Sequence, residues 1–91
     1  MKTLHLVSVS LGRQPELAAQ ILAAAEADDS LLLIGSGLYT LFSDFRWQGR
    51  VHALQADCQS CGIRLPSDVI AIDYAEMVSL CEHHENIVTW N

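Results

Sequence analysis

Two cysteines three residues apart, Cys58 and Cys61, are the part of the sequence whose residue types and spacing could most directly do chemistry. On a helical turn, side chains at this spacing lie on one face, so the two sulfurs would be within reach of each other. A redox-active pair needs an electropositive setting or a helix N-terminus to lower the pKa of one thiol. The preceding residue, Asp57, carries the opposite charge and weakens that interpretation.

The same two thiols could instead belong to a zinc site, which would need two further ligands. Cys81, His83 and His84 could supply them, but they lack the regular spacing of a second half-site. In a third interpretation Cys58 and Cys61 are two small, half-buried residues on a short helix, and the sequence favours it over redox and metal chemistry. We therefore expect no metal site and keep Cys58 and Cys61 only as candidate thiols.

Residues 35–37 (Gly-Ser-Gly) follow an apolar run and precede a helical pattern, as a phosphate-binding loop would. The dinucleotide fingerprint requires glycine or alanine at position 40, which is Thr40 here, and no lysine follows to complete a nucleoside-triphosphate loop. A tight turn between a strand and a helix is the better interpretation. The sequence therefore predicts no bound cofactor.

The four histidines show no catalytic spacing. His5 and His52 each alternate with apolar residues in a strand-like run, so we expect them at the edge of the core with satisfied hydrogen bonds. His83 and His84 end a helical pattern, where the helix dipole mildly favours a cation. Sequence order alone supports no Ser-His-Asp or Cys-His grouping.

Large aromatic residues near one connection of the predicted sheet are candidate contacts with a partner. The chain is 51% hydrophobic, which is more apolar surface than 91 residues can bury within themselves. Tyr39, Phe42 and Trp47 lie within one short segment and are predicted interface residues. Trp90 is a fourth candidate, although it could equally cap the core. We expect self-association of the isolated chain and heteromeric assembly when partners are present.

Charge and composition exclude several classes of protein. The formal net charge is −6 with only five basic residues, so we expect no direct nucleic-acid binding, which needs clustered Lys and Arg. We find no apolar run long enough to cross a bilayer and no secretory signal peptide. Three cysteines do not suit a secreted disulfide scaffold, and reduced thiols favour a cytoplasmic location.

The last third of the chain reads as strand, helix, strand. Residues 69–72 are apolar and β-branched, as in a strand buried on both faces. Asp73 and Glu76 form a capping-box pair at the start of a helix. Apolar residues then recur at helical spacing, namely Tyr74, Met77, Val78 and Cys81. This spacing puts Cys81 on the apolar face of the helix, so we expect it in the core. Residues 87–90 are β-branched and aromatic again, so this βαβ unit implies a parallel sheet.

The rest of the chain supplies the other elements of a single domain over residues 1–91. Strands are predicted at residues 4–9, 31–34 and 51–54, and the second, apolar throughout, is expected to be central. A helix begins at Pro15, and its apolar face consists of Leu17, Ile21, Leu22 and Ala25. Shorter helices are predicted at 38–42 and at 57–62, which ends at Gly62. This order predicts a three-layer α/β/α fold, Rossmann-like or flavodoxin-like, with a mainly parallel sheet of four to five strands and helices on both faces.

These residues together resemble the DsrH/TusB family of small sulfur-relay proteins, within the DsrE/F/H-like fold. The resemblance covers nearly the whole chain and is strongest in residues 68–74 (Asp-Val-Ile-Ala-Ile-Asp-Tyr), Val78 and the closing Trp90. It also includes Leu4 with His5, residues 31–34 leading to Gly37, and residues 51–54 followed by Asp57 and Gly62.

The resemblance implies a cytoplasmic subunit that assembles with two paralogues, one DsrE/TusD-like and one DsrF/TusC-like, as a hexamer of paired heterotrimers. Such complexes pass persulfide sulfur along a relay. In the TusB branch the sulfur ends in 2-thiouridine at the wobble position of tRNA, and in the DsrH branch it serves dissimilatory sulfur oxidation.

One departure from the family pattern bears on the choice of branch. The DsrH branch usually carries a cysteine on the first helix, and Gln20 occupies that place here, which sides with the TusB branch. Since the C-x-x-C is not a family feature, the resemblance assigns the persulfide to a partner and makes this chain a structural, non-catalytic subunit. Two alternatives stay open: a thiol oxidoreductase that uses Cys58 and Cys61, and a nucleotide-binding flavodoxin-like module, against which Thr40 argues.

Overall fold

The computed structural model describes residues 2–91 as a five-stranded, wholly parallel sheet with helices on both faces. The strands are β1 (Thr3–Val7), β2 (Ser30–Leu33), β3 (Val51–Leu54), β4 (Val69–Ile72) and β5 (Asn86–Trp90). The helices are α1 (Pro15–Ala24), α2 (Gln55–Cys61) and α3 (Tyr74–Glu82), with 3₁₀ segments at Leu11–Arg13 and Gly35–Phe42. The strand order β4-β3-β2-β1-β5 confirms the predicted α/β class and the parallel sheet.

The order of the strands decides which helices share a face. The connections from β1 to β4 all step in one direction across the sheet, and the connection from β4 to β5 returns to the far edge. Since parallel crossovers are right-handed, α1 and α2 cover one face, and α3 alone covers the other. The α1-side core consists of Val7, Leu11, Ile21, Leu31, Leu33, Leu38, Ala53 and Cys58. The α3-side core consists of Leu4, Leu32 and Ile72, with Met77, Leu80 and Cys81 packed against it.

The predicted strands differ in how far they are buried. All four residues of β2 are buried, which confirms its central position. The prediction that β4 is buried on both faces is wrong, because β4 is an edge strand and Ile70 is 45% exposed. The first strand, predicted over residues 4–9, ends at Val7, because the chain then leaves the sheet for the segment Leu11–Arg13. The short helix predicted at 38–42 is part of a longer 3₁₀ segment.

The helices are short, and none of those within residues 2–91 is long and apolar enough to span a lipid bilayer. Their ends follow the predicted signals. Pro15 is the first residue of α1, where its missing N–H leaves no bond unmade. Asp73 accepts the backbone N–H of Glu76 at 2.7 Å, and the Glu76 carboxylate accepts that of Asp73 at 3.1 Å. Gly62 ends α2 at a φ of 67°, in the left-handed region that glycine adopts without strain.

The predicted apolar faces of the helices are only partly buried. Leu22 of α1 and Tyr74 and Val78 of α3 are exposed, so their assignment to the core is wrong. Cys81 is half-buried rather than buried. The reason is geometric: a nine-residue helix that crosses a five-stranded sheet alone packs against it along one narrow stripe, here through Met77, Leu80 and Cys81, which are only partly buried. The exposed side of α3, with Tyr74 and Val78, lies on a face of the sheet that no other described helix covers.

Candidate functional site

The turn at residues 35–37 is built for close packing rather than for a phosphate. A Cβ on Gly37 would lie 2.1 Å from the carbonyl oxygen of Val7, which no side chain can do. Gly35 has a φ of 51°, and its N–H donates to a carboxylate oxygen of Asp57 at 2.7 Å. An N–H that could have faced an anionic ligand is thus already bound to a carboxylate. The structure confirms a tight turn at this position.

The two candidate thiols lie on the same helix in different environments. Cys58 is buried in the α1-side core, whereas Cys61 is exposed at the last residue of α2. Burial raises the pKa of the Cys58 thiol, and the negative charge of Asp57 acts in the same direction. Both thiols are free. The structure therefore presents one accessible thiol at this place rather than an exposed pair.

The zinc interpretation is not supported by the positions of its proposed ligands. Cys58 packs in the α1-side core, whereas Cys81 packs against the α3-side core, so the sheet lies between them. Within residues 2–91 no group of His, Cys, Asp and Glu side chains is arranged to hold a metal ion.

Cys61 lies beside an aromatic surface at the carboxyl end of β1. A hydrogen bond with Cys61 raises the pKa of the Tyr39 hydroxyl. Tyr39 and Phe42 are both exposed, and their ring centroids are 6.4 Å apart. We call the adjacent depression, about 540 Å³ in volume, the carboxyl-edge groove. Its lining consists of Ser8, Val9, Ser10, Arg13, Gln14, Ser36, Tyr39 and Phe42.

The other two predicted interface residues, Trp47 and Trp90, are half-buried against the α1-side core. Their rings flank His5, with centroid distances of 5.3 Å for Trp47 and 6.2 Å for Trp90. The indole N–H of Trp47 donates to the carbonyl oxygen of Asp29 at 3.2 Å. The indole N–H of Trp90 donates to Nδ1 of His5 at 3.1 Å. Both tryptophans are thus held in place by hydrogen bonds as well as by packing.

A buried pair, His5 and Asp29, connects these rings to the backbone. Nε2 of His5 lies 2.8 Å from one carboxylate oxygen of Asp29. Because Nδ1 of His5 accepts the indole hydrogen of Trp90, Nε2 carries the proton and donates it to Asp29. Asp29 also accepts the backbone N–H groups of Thr3 at 3.1 Å and of Glu26 at 2.9 Å. Every polar atom of the pair is therefore occupied.

The charge of Asp29 is stabilised by these contacts. Burial by itself raises the pKa of Asp29, but the hydrogen bonds from Glu26, His5 and Thr3 outweigh it, and the pKa lies below its ordinary value. The expectation that His5 is a satisfied residue of the core is confirmed. Its partner was missed, since residues 28–30 (Asp-Asp-Ser) look like a helix-ending loop. No local pattern in the sequence marks Asp29 as a buried residue.

The second histidine, His52, lies in a depression at the amino end of the sheet. Burial lowers the pKa of His52, a hydrogen bond to the carbonyl of Leu31 opposes this effect, and the charges of His84 and Arg50 add to the lowering. We call this depression, about 650 Å³ in volume, the amino-edge groove. Charged and imidazole side chains along it are Lys2, Asp28, Asp29, Arg50, His52, Glu76, His83 and His84. The lining contains both cationic and anionic groups, so the groove has no single charge preference.

Comparison with known proteins gives a consistent picture. The model of a family described as "DsrH like protein" matches residues 14–87. No curated protein sequence matches the chain at a significant level. Among solved structures, the solution NMR structure of protein Tm0979 from Thermotoga maritima is 28% identical, with a TM-score of 0.60, and the match covers 86% of this chain and 91% of that one.

A second solved structure resembles the chain in fold alone. The crystal structure of the ychN protein from E. coli is 14% identical, with a TM-score of 0.66, and the match covers 99% of this chain and 100% of that one. The sheet and helices described above are therefore shared along the full length of both proteins.

Proposed function

Since the chain belongs to the DsrH-like protein family, whose members are sulfur-relay subunits, we propose that it is a structural, non-catalytic subunit of such a complex. In this proposal the complex is cytoplasmic and forms 2-thiouridine at the tRNA wobble position. The observation that carries the proposal is the family match over residues 14–87. DsrH-like proteins typically associate with DsrE- and DsrF-like proteins. The proposed partners are one paralogue of each kind.

The state of the thiols supports a structural role. A cysteine that accepts a persulfide must reach the surface and ionise readily, as thiols do at a helix N-terminus or beside a cation. Cys58 is buried and its pKa is raised. Cys61 is exposed but is the last residue of α2, far from the N-terminus of that helix. The proposal therefore assigns the sulfur-carrying cysteine to a partner.

One further feature supports the tRNA branch over sulfur oxidation. Gln20 is exposed on α1, at the place where the oxidation branch usually carries a cysteine, so a surface position suited to a thiol is filled by an amide. The net charge of −6 leaves tRNA binding to the partners, because phosphate contacts require clustered cations.

Exposed aromatic side chains provide the proposed contact with the paralogues. Tyr39 and Phe42 form the rim of the carboxyl-edge groove, and 70% of the Phe42 surface is exposed. A large apolar ring left in water is typical of a protein–protein contact. Trp47 and Trp90 are half-buried, so in this proposal each contacts a partner only through the exposed part of its ring.

The proposal is tested by complementing a host that lacks the native gene. Thiolation of tRNA is measured by mass spectrometry of digested tRNA, and partners are identified by co-purification with the tagged chain. The informative variant carries Cys58→Ala, Cys61→Ser and Cys81→Ser, with alanine at position 58 because a serine hydroxyl would be buried there without a partner. We expect this variant to retain assembly and thiolation, while deletion of the gene abolishes thiolation.

The second candidate function is a thiol oxidoreductase, favoured by one observation: Cys61 is exposed, and its side chain raises the pKa of the Tyr39 hydroxyl. The same host separates the two functions. If Cys61→Ser assembles normally but abolishes thiolation, the structural-subunit proposal fails and Cys61 belongs to the relay. The matched control is Cys81→Ser, which removes a half-buried thiol on the opposite face of the sheet.

A further inference from the structure

The carboxyl-edge groove lies where open parallel sheets usually place a ligand. The strand order reverses at β1, because β2, β3 and β4 follow on one side of it and β5 lies on the other. One wall of the groove comes from the segment 8–14, which follows β1, and the other from the 3₁₀ segment that follows β2. A crevice at the carboxyl ends of parallel strands, beside the strand where the order reverses, is the common ligand position in such sheets.

The two walls of the groove are held together by one buried side chain. The backbone N–H of Leu11 donates to the hydroxyl of Thr40 at 3.0 Å, and this hydroxyl donates to the carbonyl oxygen of Val9 at 3.5 Å. Thr40 is buried and lies on the same 3₁₀ segment as Tyr39 and Phe42. The two walls are therefore fixed relative to each other before a ligand binds, which lowers the cost of ordering the site.

The charge of the groove is opposite to that of the chain as a whole. The chain has 11 acidic residues and a net charge of −6, yet the lining holds one cation, Arg13, and no carboxylate. Arg13 makes no ion pair within residues 2–91, and Glu16, three residues later, lines the neighbouring depression. The hydroxyls of Ser8, Ser10 and Ser36 have no hydrogen-bond partner in the same part of the chain. The groove thus presents free donors to an anion.

The opposite wall of the groove is aromatic. Tyr39 is 45% exposed and Phe42 is 70% exposed, and their ring planes are tilted by 39°. Exposed ring faces can pack against a flat ring of a ligand. The volume of about 540 Å³ lies within the roughly 300–1,000 Å³ of typical small-molecule sites. We propose that the carboxyl-edge groove binds a small aromatic carboxylate, whose carboxylate meets Arg13 and whose ring lies against Tyr39 and Phe42.

The number of charges in the groove selects a carboxylate over a phosphate ester. The guanidinium of Arg13 balances one negative charge, and its two parallel N–H donors match the two oxygens of a carboxylate. A phosphate monoester would bring a second charge without a partner, and the lining has no carboxylate to hold a Mg²⁺ ion beside it. Acidic side chains farther away than about 8 Å act weakly on the ligand, because salt screens them.

The inference does not rest on the sulfur-relay function. Because Tyr39 and Phe42 are also the proposed contacts with a paralogue, the test uses the chain without partners. Calorimetric titration compares three probes: indole-3-acetate has the ring and the charge, indole-3-acetamide the ring alone, and acetate the charge alone. We expect a dissociation constant of about 100 µM for indole-3-acetate and values at least about tenfold higher for the other two.

Adenosine monophosphate, which combines a flat ring with a doubly charged phosphate, is the fourth probe. It should also bind at least about tenfold more weakly than indole-3-acetate. The proposal is overturned if indole-3-acetate does not bind at a concentration of about 5 mM. It is equally overturned if indole-3-acetamide, acetate or adenosine monophosphate binds as tightly as indole-3-acetate.

Three variants locate the bound probe. Arg13→Gln should weaken the binding of indole-3-acetate at least about tenfold and leave that of indole-3-acetamide unchanged. Phe42→Ser should weaken the binding of both. The matched control is Arg50→Gln, which removes the same charge from the amino-edge groove at the opposite end of the sheet and should change neither affinity. Unchanged binding in Arg13→Gln, or equal weakening in Arg13→Gln and Arg50→Gln, would refute the assignment of the site.

Discussion

The indole N–H of Trp90 lies 3.1 Å from Nδ1 of His5, a residue 85 positions earlier in the chain. The bond joins neighbouring strands, β5 and β1, and it selects the tautomer of the imidazole. With Nδ1 occupied as an acceptor, the proton resides on Nε2 and is directed at Asp29. Trp90 therefore acts on the core in two ways, by filling space and by orienting a buried histidine.

Replacement of Trp90 by phenylalanine separates these two contributions. The phenyl ring retains most of the packing but leaves Nδ1 of His5 without its donor. We expect the free energy of unfolding to fall by about 1–3 kcal/mol, the cost of an unsatisfied buried polar group together with lost contact area. Urea denaturation followed by circular dichroism measures it. Phe42→Leu, at an exposed ring, is the control, and an equal loss in both variants would contradict the role given to the hydrogen bond.

The depressed pKa of Asp29 predicts acid sensitivity. A carboxyl whose pKa is lower in the folded than in the unfolded chain stabilises the fold above its unfolded pKa, near 3.9, and that contribution is lost as the pH falls through the folded pKa. We expect Asp29→Asn to be less stable than the unmodified chain at pH 7. The difference between the two should shrink below pH of about 4. Denaturation curves recorded across this range test it, and a constant difference would show that the charge of Asp29 is unimportant.

His52 predicts a second pH dependence in a separate window. Its pKa is lowered in the folded chain, chiefly by burial, so the unfolded chain takes up a proton first as the pH falls below about 6.5. Stability should therefore decline below that pH until the folded pKa is reached. In His52→Gln this part of the decline should disappear while the acid loss due to Asp29 persists. A decline of unchanged size in the variant would assign it to other groups.

The turn at residues 35–37 predicts a large effect from a small change. Alanine at position 37 would place its Cβ 2.1 Å from the carbonyl oxygen of Val7, and a backbone atom cannot move away as a side chain can. We expect Gly37→Ala to destabilise the fold by roughly 2–4 kcal/mol. Ser36→Ala, one residue earlier and exposed, should change stability little. A thermal unfolding midpoint that is the same in the two variants would show that β1 and this turn can separate without cost.

The environments of the thiols predict distinct reactivity toward an aromatic disulfide reagent. Cys61 is exposed and should react promptly in the native protein. Cys58 is buried with a raised pKa and should react only when the chain unfolds. Stopped-flow absorbance resolves the kinetic phases of the reaction between the thiols and the reagent. Cys61→Ser should remove the fast phase. If the fast phase survives in that variant, the core around Cys58 opens readily.

Local sequence signals predicted the parts of this fold that depend on near neighbours. Pro15, the Asp73 and Glu76 pair and Gly62 mark helix ends because the bonds they make lie within a few residues. The apolar run at 31–34 located β2 for the same reason. The run at residues 69–72 looks alike, yet β4 is an edge strand. Position in the sheet depends on all the crossovers together, which no local pattern contains.

The candidate site was harder to predict, because its geometry depends on distant residues. The short helix that carries Cys58 and Cys61 was predicted, but the sequence could not show which side of that helix faces the core. The Asp29 contact with His5 spans 24 positions, and a carboxylate in a polar run gives no sign of burial. Such contacts depend on the order of the strands, because they form only where β1 lies between β2 and β5.

The place of β1 between β2 and β5 has a consequence for synthesis on the ribosome. β2, β3 and β4 can join the growing sheet as they emerge, but the other side of β1 stays open until residues 86–90 have been translated. During that interval the carboxylate and imidazole of Asp29 and His5 can already pair, while the tryptophan that completes them is absent. The nascent protein therefore passes through a stage with an unprotected strand beside a half-formed polar core, the kind of species that chaperones bind.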